Sequence, residues 1–358
     1  MTSHTNSGEY FKGRGAQFNP NNKFNEHQYA QEFVEGLDEP FLQSEKTVVI
    51  DSYPKSIISK VNSPDIGFSQ SLNPYQGCEH GCIYCYARNS HEFWGYSAGL
   101  DFERKILVKH NAVELLKQTL EKANYRPQTI FLSGNTDCYQ PVERKYKITR
   151  ELLKTMREYK HPVSIISKNV LMHRDLDIMQ ELASLGLISV TVTINSLQEE
   201  VRRKMEPRTA TALARLKLIE SLAKRNIPVS VLIAPIVPGI NSMEMPAIIQ
   251  KAANAGAVWA GYTIVRLNGA VADIFHDWVY KNYPDRASKI IHGIQECHGG
   301  QLNDSAWGRR IAGEGRIAEG IKQLFKLARN KHMGDLGPPV VRTDMFVRPE
   351  SSGQLRLF

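Results

Sequence analysis

The chain is poor in cysteine: five among 358 residues, three of them within one stretch of eight. Thiols so few and so unevenly placed do not make a disulfide framework, and their usage fits a reducing cytoplasm. Long apolar runs are also missing. The longest, Val229 to Ile240, carries Pro235 and Pro238 and is far too short to span a bilayer, so no membrane partner is expected. The first thirty residues lack the apolar core of an export signal. Acidic residues are in deficit, 37 against 45 Lys and Arg, which leaves a net charge of +8. A positive field favours encounter with polyanions, nucleic acid among them, yet it also serves plain solubility.

What the chain has is Cys78-Glu79-His80-Gly81-Cys82-Ile83-Tyr84-Cys85. Thiolates are the ligands that soft metals and iron–sulfur clusters select, and Gly81 permits a tight turn between them. Three thiolates hold three irons of a four-iron cube and leave the fourth open. Cys78, Cys82 and Cys85 with His80 or His91 would also suit zinc, although zinc ligands usually come as pairs separated by a longer loop. The C-x3-C-x2-C spacing, with an aromatic before the last cysteine, resembles the signature of the radical S-adenosylmethionine (SAM) superfamily. The context from Asn73 to about Leu267 resembles its branch of spore photoproduct lyase and related DNA repair photolyase-like proteins. The resemblance implies a 4Fe-4S cluster and SAM as cofactors. It also implies reductive cleavage to a 5'-deoxyadenosyl radical and an electron donor such as flavodoxin or ferredoxin.

From about Phe68, short β-branched runs alternate with helical patterns. Strands are expected at 68–72, 129–132, 163–166, 188–194, 228–233 and 258–265, with helices over 111–123, 143–159, 174–185, 210–225 and 245–255 between them. Asn111 is the expected cap of the first helix. Gly186, Asn226 and Gly256 stand where helices should stop. Six β-α units imply an α/β protein with a parallel sheet. The resemblance makes it a partial (β/α)6 TIM-like barrel with its ligand mouth at the strand C-terminal ends. Residues 1–60 form an N-terminal extension, 61–270 the barrel, and 271–334 a C-terminal helical subdomain suited to closing the open side. Residues 335–358 form an irregular tail.

Several residues fall at the expected mouth. The resemblance places Tyr84 near the adenine of SAM; a buried structural tyrosine is the plain alternative. Ser133-Gly134-Asn135 stands where the superfamily binds the SAM amino group, with Asn135 in place of the usual acid. Asp137, Tyr139, Gln140 and Glu143 are candidates for substrate or cofactor contact, with helix capping the alternative for the two acids. Lys168, closing the third strand, suits a carboxylate or a phosphate. Relatives use Ser and Asn near the ribose where this chain has Asn195-Ser196. Arg208, at an expected helix start, faces the wrong end of a dipole for a cap and suits an anion instead. Gly239 falls in a segment that resembles the adenine-lining one, and Arg266 closes the sixth strand. Cys138 is a candidate hydrogen-atom donor at the mouth, against a reading as an inert small core residue; Cys297 is less specific.

The chain ends Gln354-Leu355-Arg356-Leu357-Phe358. This resembles the short peptide by which bacterial repair and replication proteins bind the DNA polymerase sliding clamp, with Gln354, Leu355, Leu357 and Phe358 as the contacts. The expected function is a radical SAM enzyme, a lyase in the concrete version, acting in DNA lesion repair. The alternatives are radical modification of RNA or protein, and a non-catalytic iron–sulfur or zinc protein associated with the clamp.

Overall fold

Strand β1 (Val48–Ser52) opens the ordered body, followed by β2 (Ile58–Lys60), β3 (Gln70–Leu72), β4 (Tyr75–Gln76), β5 (Lys105–Lys109) and β6 (Ile130–Leu132). Strands β7 (Val163–Ser167), β8 (Ile188–Thr193), β9 (Val229–Ile236) and β10 (Trp259–Ile264) complete the set. The computed structural model describes residues 11–24, 46–335 and 337–349. Helices α1 to α4 are Leu100–Arg104, Ala112–Leu120, Glu143–Tyr146 and Ile148–Glu158. Helices α5 to α8 are Leu176–Ser184, Glu199–Met205, Ala212–Ala223 and Met245–Asn254. Helices α9 to α11 are Val271–Asn282, Ala287–Glu296 and Gly315–Met333.

The main sheet runs β10-β9-β8-β7-β6-β3-β2. Its six strands from β3 to β10 are mutually parallel, and β2 adds antiparallel to β3 at one edge. This is the expected partial (β/α)6 barrel, left open between β2 and β10. The crossover helices bury one face each: α4 turns Ile148, Leu152 and Met156 inward at a four-residue spacing. They pack with Ile165, Val190 and Val231 of the strands into one apolar core. At the expected stops the backbone turns left-handed, with φ of 71° at Gly186, 57° at Asn226 and 98° at Gly256. Among the described residues no helix is long and apolar enough to cross a membrane.

Three expectations shift. The helix expected over 143–159 is broken at Lys147 (φ 54°), because the buried Glu143 carboxylate accepts from Thr149 N and caps the second half. Asn111 precedes α2 but its amide donates to Pro54 O at 3.0 Å, so it caps nothing. The C-terminal helices do not shut the open side. Helix α11 covers the outer face of β10, Phe325 lying 4.6 Å from the Tyr262 ring, and α9 packs beneath Ile83 and Tyr84 through Val271, Phe275 and Trp278. The gap is spanned by the loop between α10 and α11. Ile311 O and Leu302 O accept from Ile264 N and Leu267 N at one edge, and Arg310 reaches Asp65, in the β2–β3 loop, at the other.

Candidate functional site

The cysteine loop leaves β4 and turns at Gly77 (φ 78°), where a Cβ would stand 2.6 Å from Lys105 O. Gln140 brackets Cys78: its carbonyl accepts from Glu79 N and its amide donates to Gly77 O, both at 3.0 Å. Cys78 N donates to Phe102 O at 2.8 Å, and Ile83 N to Met205 O at 3.1 Å. Arg88 is wholly buried, donating to Cys82 O at 2.9 Å and to the Glu103 carboxylate at 2.5 Å. Glu103 also accepts from Gly15 N (3.0 Å) and Ala16 N (2.8 Å), so the N-terminal segment lies directly on the loop. Four segments distant in sequence, with Arg88 just beyond the loop, thus fix eight residues.

All three thiols are free; Cys78 and Cys82 are buried and Cys85 half-buried. Burial pushes the Cys78 and Cys82 thiols up, so only added positive charge makes a triple thiolate stable there. Among the described residues no three or more His, Cys, Asp or Glu side chains close on one metal ion. Neither histidine of a zinc reading is poised as a fourth ligand: His80 faces Asp137 at 3.4 Å, and His91 packs between Tyr96 and Phe102. Three thiols on three irons of a cube need not converge on a point.

Around them stand polar groups without partners. Lys168 makes no side-chain hydrogen bond or ion pair among the described residues; burial lowers its pKa, and the Cys82, Glu206, Asp137 and Cys85 charges together raise it further. Thr193 Oγ1 and Asn195 Oδ1, at the end of β8, are buried and unbonded. This donor set fits a cluster with a zwitterionic, hydroxyl-bearing cofactor beside it. Tyr84 donates its hydroxyl to the buried Glu206 carboxylate, which Arg215 holds at 2.7 Å. Burial raises the Glu206 pKa, but Arg215 and Lys168 outweigh it and keep the carboxyl below its usual range.

The Radical SAM superfamily model matches residues 72–252. The chain belongs to the radical SAM superfamily. Its cofactors are accordingly a 4Fe-4S cluster and SAM, and it is an enzyme. An uncharacterized protein of Mycobacterium tuberculosis is 31% identical over 238 residues, 66% of this chain and 70% of that one. One of Methanocaldococcus jannaschii is 29% identical over 199 residues, covering 56% and 71%. Among solved structures, spore photoproduct lyase complexed with dinucleoside spore photoproduct aligns at a TM-score of 0.59 and 13% identity over 80% of each chain. A mutant of the same enzyme aligns at 0.60 and 12%, over 85% and 86%. At that identity the likeness is one of fold.

The remaining candidates separate into groups. Asn135 ties the β6 loop to the cysteine loop, N–H to Asn73 Oδ1 at 2.8 Å and amide to Gln76 Oε1 at 2.9 Å. Gly134 O accepts from Tyr86, and a Cβ there would lie 2.9 Å from that of Ser71. Ser133 (φ 78°) accepts from Cys138 N at 2.8 Å. Asp137 accepts from Ser167, Lys168 N and Tyr139 N; burial raises its pKa, but His80, Lys168 N and Ser167 outweigh burial and lower it to about 2. Its acceptor sites are taken internally. So are those of Glu143, by Tyr75, Arg174 and Thr149, while Tyr139 donates to Asp175. Ser196 is held by Glu244 at 2.7 Å. Arg208 lies in the turn between α6 and α7, not at a helix start, 4.0 Å from Glu79. Gly239 (φ 79°) is exposed, its carbonyl accepting from Arg286.

Cys138 has no exposed surface and sits in the main apolar core, which removes the geometric basis for a donor at the mouth. Cys297 is likewise buried. Residues 354–358 lie outside the described residues. Glu206, Arg215, Arg88 and Glu103 went unrecognised in the sequence. Lone charges carry no signal until the fold brings them to the loop.

Proposed function

We propose that this enzyme holds its cluster on Cys78, Cys82 and Cys85 and directs the radical at a nucleic-acid substrate, DNA lesion repair being the concrete version. The observation that carries it is three free thiols on one loop and, among the described residues, an unpartnered Lys168 ammonium, Thr193 Oγ1 and Asn195 Oδ1 at the strand ends. Cluster and SAM would together supply one-electron chemistry able to remove a hydrogen atom from substrate, with the chain binding and orienting both. Lys168 would meet the SAM carboxylate, and Thr193 and Asn195 its hydroxyls. Tyr84, pinned by Glu206, would wall the cofactor. The loop over the open side would exclude water and stray reductant from the radical. A flavodoxin or ferredoxin would deliver the electron.

The nucleic-acid reading is supported by the net charge of +8 and by the shared fold of a lyase solved with a dinucleoside photoproduct. Anaerobic reconstitution followed by dithionite and SAM should yield about four irons per chain and 5'-deoxyadenosine, both lost in Cys82→Ala. A colourless zinc protein, or a cluster with no deoxyadenosine, would overturn the chemistry. Product mass spectrometry across lesion-bearing DNA, tRNA and peptide then assigns the substrate; turnover of peptide alone would remove the nucleic-acid part.

A further inference from the structure

The loop that spans the open side presents a second constellation at the mouth. Arg266 follows β10 and is half-buried, yet among the described residues its guanidinium has no hydrogen-bond or ion-pair partner. The two carboxylates that act on it are already spoken for. Asp65 is held by Arg310 at 2.6 Å and by Gly308 N, and Asp304 by Arg309 at 2.5 Å. Both act on it only from a distance, and burial and Arg310 outweigh them and lower its pKa. A half-buried guanidinium left so is available to an anion from outside the chain.

A second unsatisfied group adjoins it. His298 is 3% exposed and donates Nε2–H to Val265 O, next to Arg266, at 2.7 Å. Its Nδ1 therefore carries a bare lone pair with no protein donor. Trp307, on the spanning loop, is 54% exposed. One face is covered by the Arg310 guanidinium at 4.1 Å, which Asp65 and Ser63 Oγ pin in place. An indole braced on one side and open on the other is a stacking platform. Tyr86 borders the same ground from the cysteine-loop side, its neutral hydroxyl donating to Gly134 O.

We propose that this β10 end of the mouth is a nucleotide subsite, Arg266 taking a backbone phosphate and Trp307 stacking a base. His298 Nδ1 accepts from a sugar hydroxyl or base N–H of the same nucleotide. The proposal rests on the reading that the mouth takes nucleic acid.

The test is fluorescence anisotropy of the reconstituted holoenzyme with a labelled single-stranded oligodeoxynucleotide and with tRNA, across a salt series. Arg266→Gln should flatten the slope of log K against log salt for the single strand by about 0.7, and Arg266→Lys should restore it. Trp307→Ala should weaken binding roughly five- to a hundredfold, with Trp307→Phe close to wild type. Unchanged slope and affinity in Arg266→Gln and Trp307→Ala, with the wild type binding, overturn the subsite and leave the substrate class standing. Loss of SAM binding in Arg266→Gln overturns it by assigning that residue to the cofactor. A wild type that binds neither nucleic acid removes the substrate class itself, and the subsite with it.

Discussion

Alanine at Gly15 would set a methyl group 1.8 Å from the carbonyl oxygen of Gly81 and 2.8 Å from Ile83 Cγ2. Neither is the far end of a flexible side chain at liberty to move. Gly81 is backbone of the cysteine loop, itself in a left-handed turn against Glu103. The leader must lift or the loop must shift. If the leader lifts, Glu103 loses the Gly15 and Ala16 N–H donors, and hydrogen bonds to a charged group are worth about 1.5–3 kcal/mol each. The loss is then ~3–6 kcal/mol. Unfolding entropy of about 2.1 cal/mol/K per residue over 358 residues makes each kcal/mol worth ~1.3 °C. Gly15→Ala should therefore melt roughly 4–8 °C lower. If the loop shifts instead, iron and sulfide per chain after anaerobic reconstitution and gel filtration should fall. Gly13→Ala is the control: its φ of 77° strains alanine by about 1–2 kcal/mol, but a Cβ there meets nothing within 4 Å, so iron should be retained. A Gly15→Ala protein with wild-type iron content and a Tm within about 1 °C of wild type would refute the docking of leader on loop.

Glu206→Ala strands the buried Arg215 and the Tyr84 hydroxyl, and should cost about 3–5 kcal/mol in urea unfolding; a loss below ~1 kcal/mol would show that the pair is solvated. His161 is wholly buried, and burial lowers its pKa to about 4 despite the Pro162 carbonyl. The unfolded chain takes up that proton below about pH 6.5 and the folded chain only near 4. Its stabilising effect is thus complete above that range and erodes as pH falls through it, by ~2 kcal/mol at pH 5. His161→Gln should lose about 3 °C less of Tm than wild type between pH 7 and 5, and an identical loss would contradict this. Cys138→Ala should cost about 1 kcal/mol yet leave product and deuterium label unchanged; altered labelling would restore the donor role. Deletion of 354–358 should abolish recovery of the bacterial sliding clamp in a pull-down, and equal recovery would dismiss that partner.

The barrel was legible because its signals are local. Ile188 to Thr193 is a compact β-branched run, and Asn226 and Gly256 stop helices by backbone conformation alone. The cysteine loop was legible because ligand spacing is a property of consecutive residues. The groups that hold the loop were not. Gln140 reads as one polar residue in a run of candidates, and only the fold shows its amide spent on Gly77 O and Glu79 N. Asp137 and Glu143 were open to two readings, contact at the mouth or helix capping; Glu143 takes the second, its carboxylate capping α4, and both acids are saturated by internal donors. Arg266 goes the other way: expected at the mouth from its place at the end of the sixth strand, it has no hydrogen-bond or ion-pair partner among the described residues.

The anchors divide the labour in a way that bears on the cluster's stability. Gln140 and Phe102 O hold the Cys78 end, Arg88 the carbonyl of Cys82, and Met205 O the Ile83 amide. Each comes from a different element, so loss of one leaves the others in place and the loop pivots without unravelling. Arg88 is the exception. Its guanidinium makes four hydrogen bonds, to Cys82 O, Ala98 O, Gly99 O and Glu103, and Glu103 in turn holds the leader. Removing that guanidinium would strand a buried carboxylate and three carbonyls together. The loop's middle cysteine therefore depends on one ion pair, and its two ends on distributed neutral hydrogen bonds.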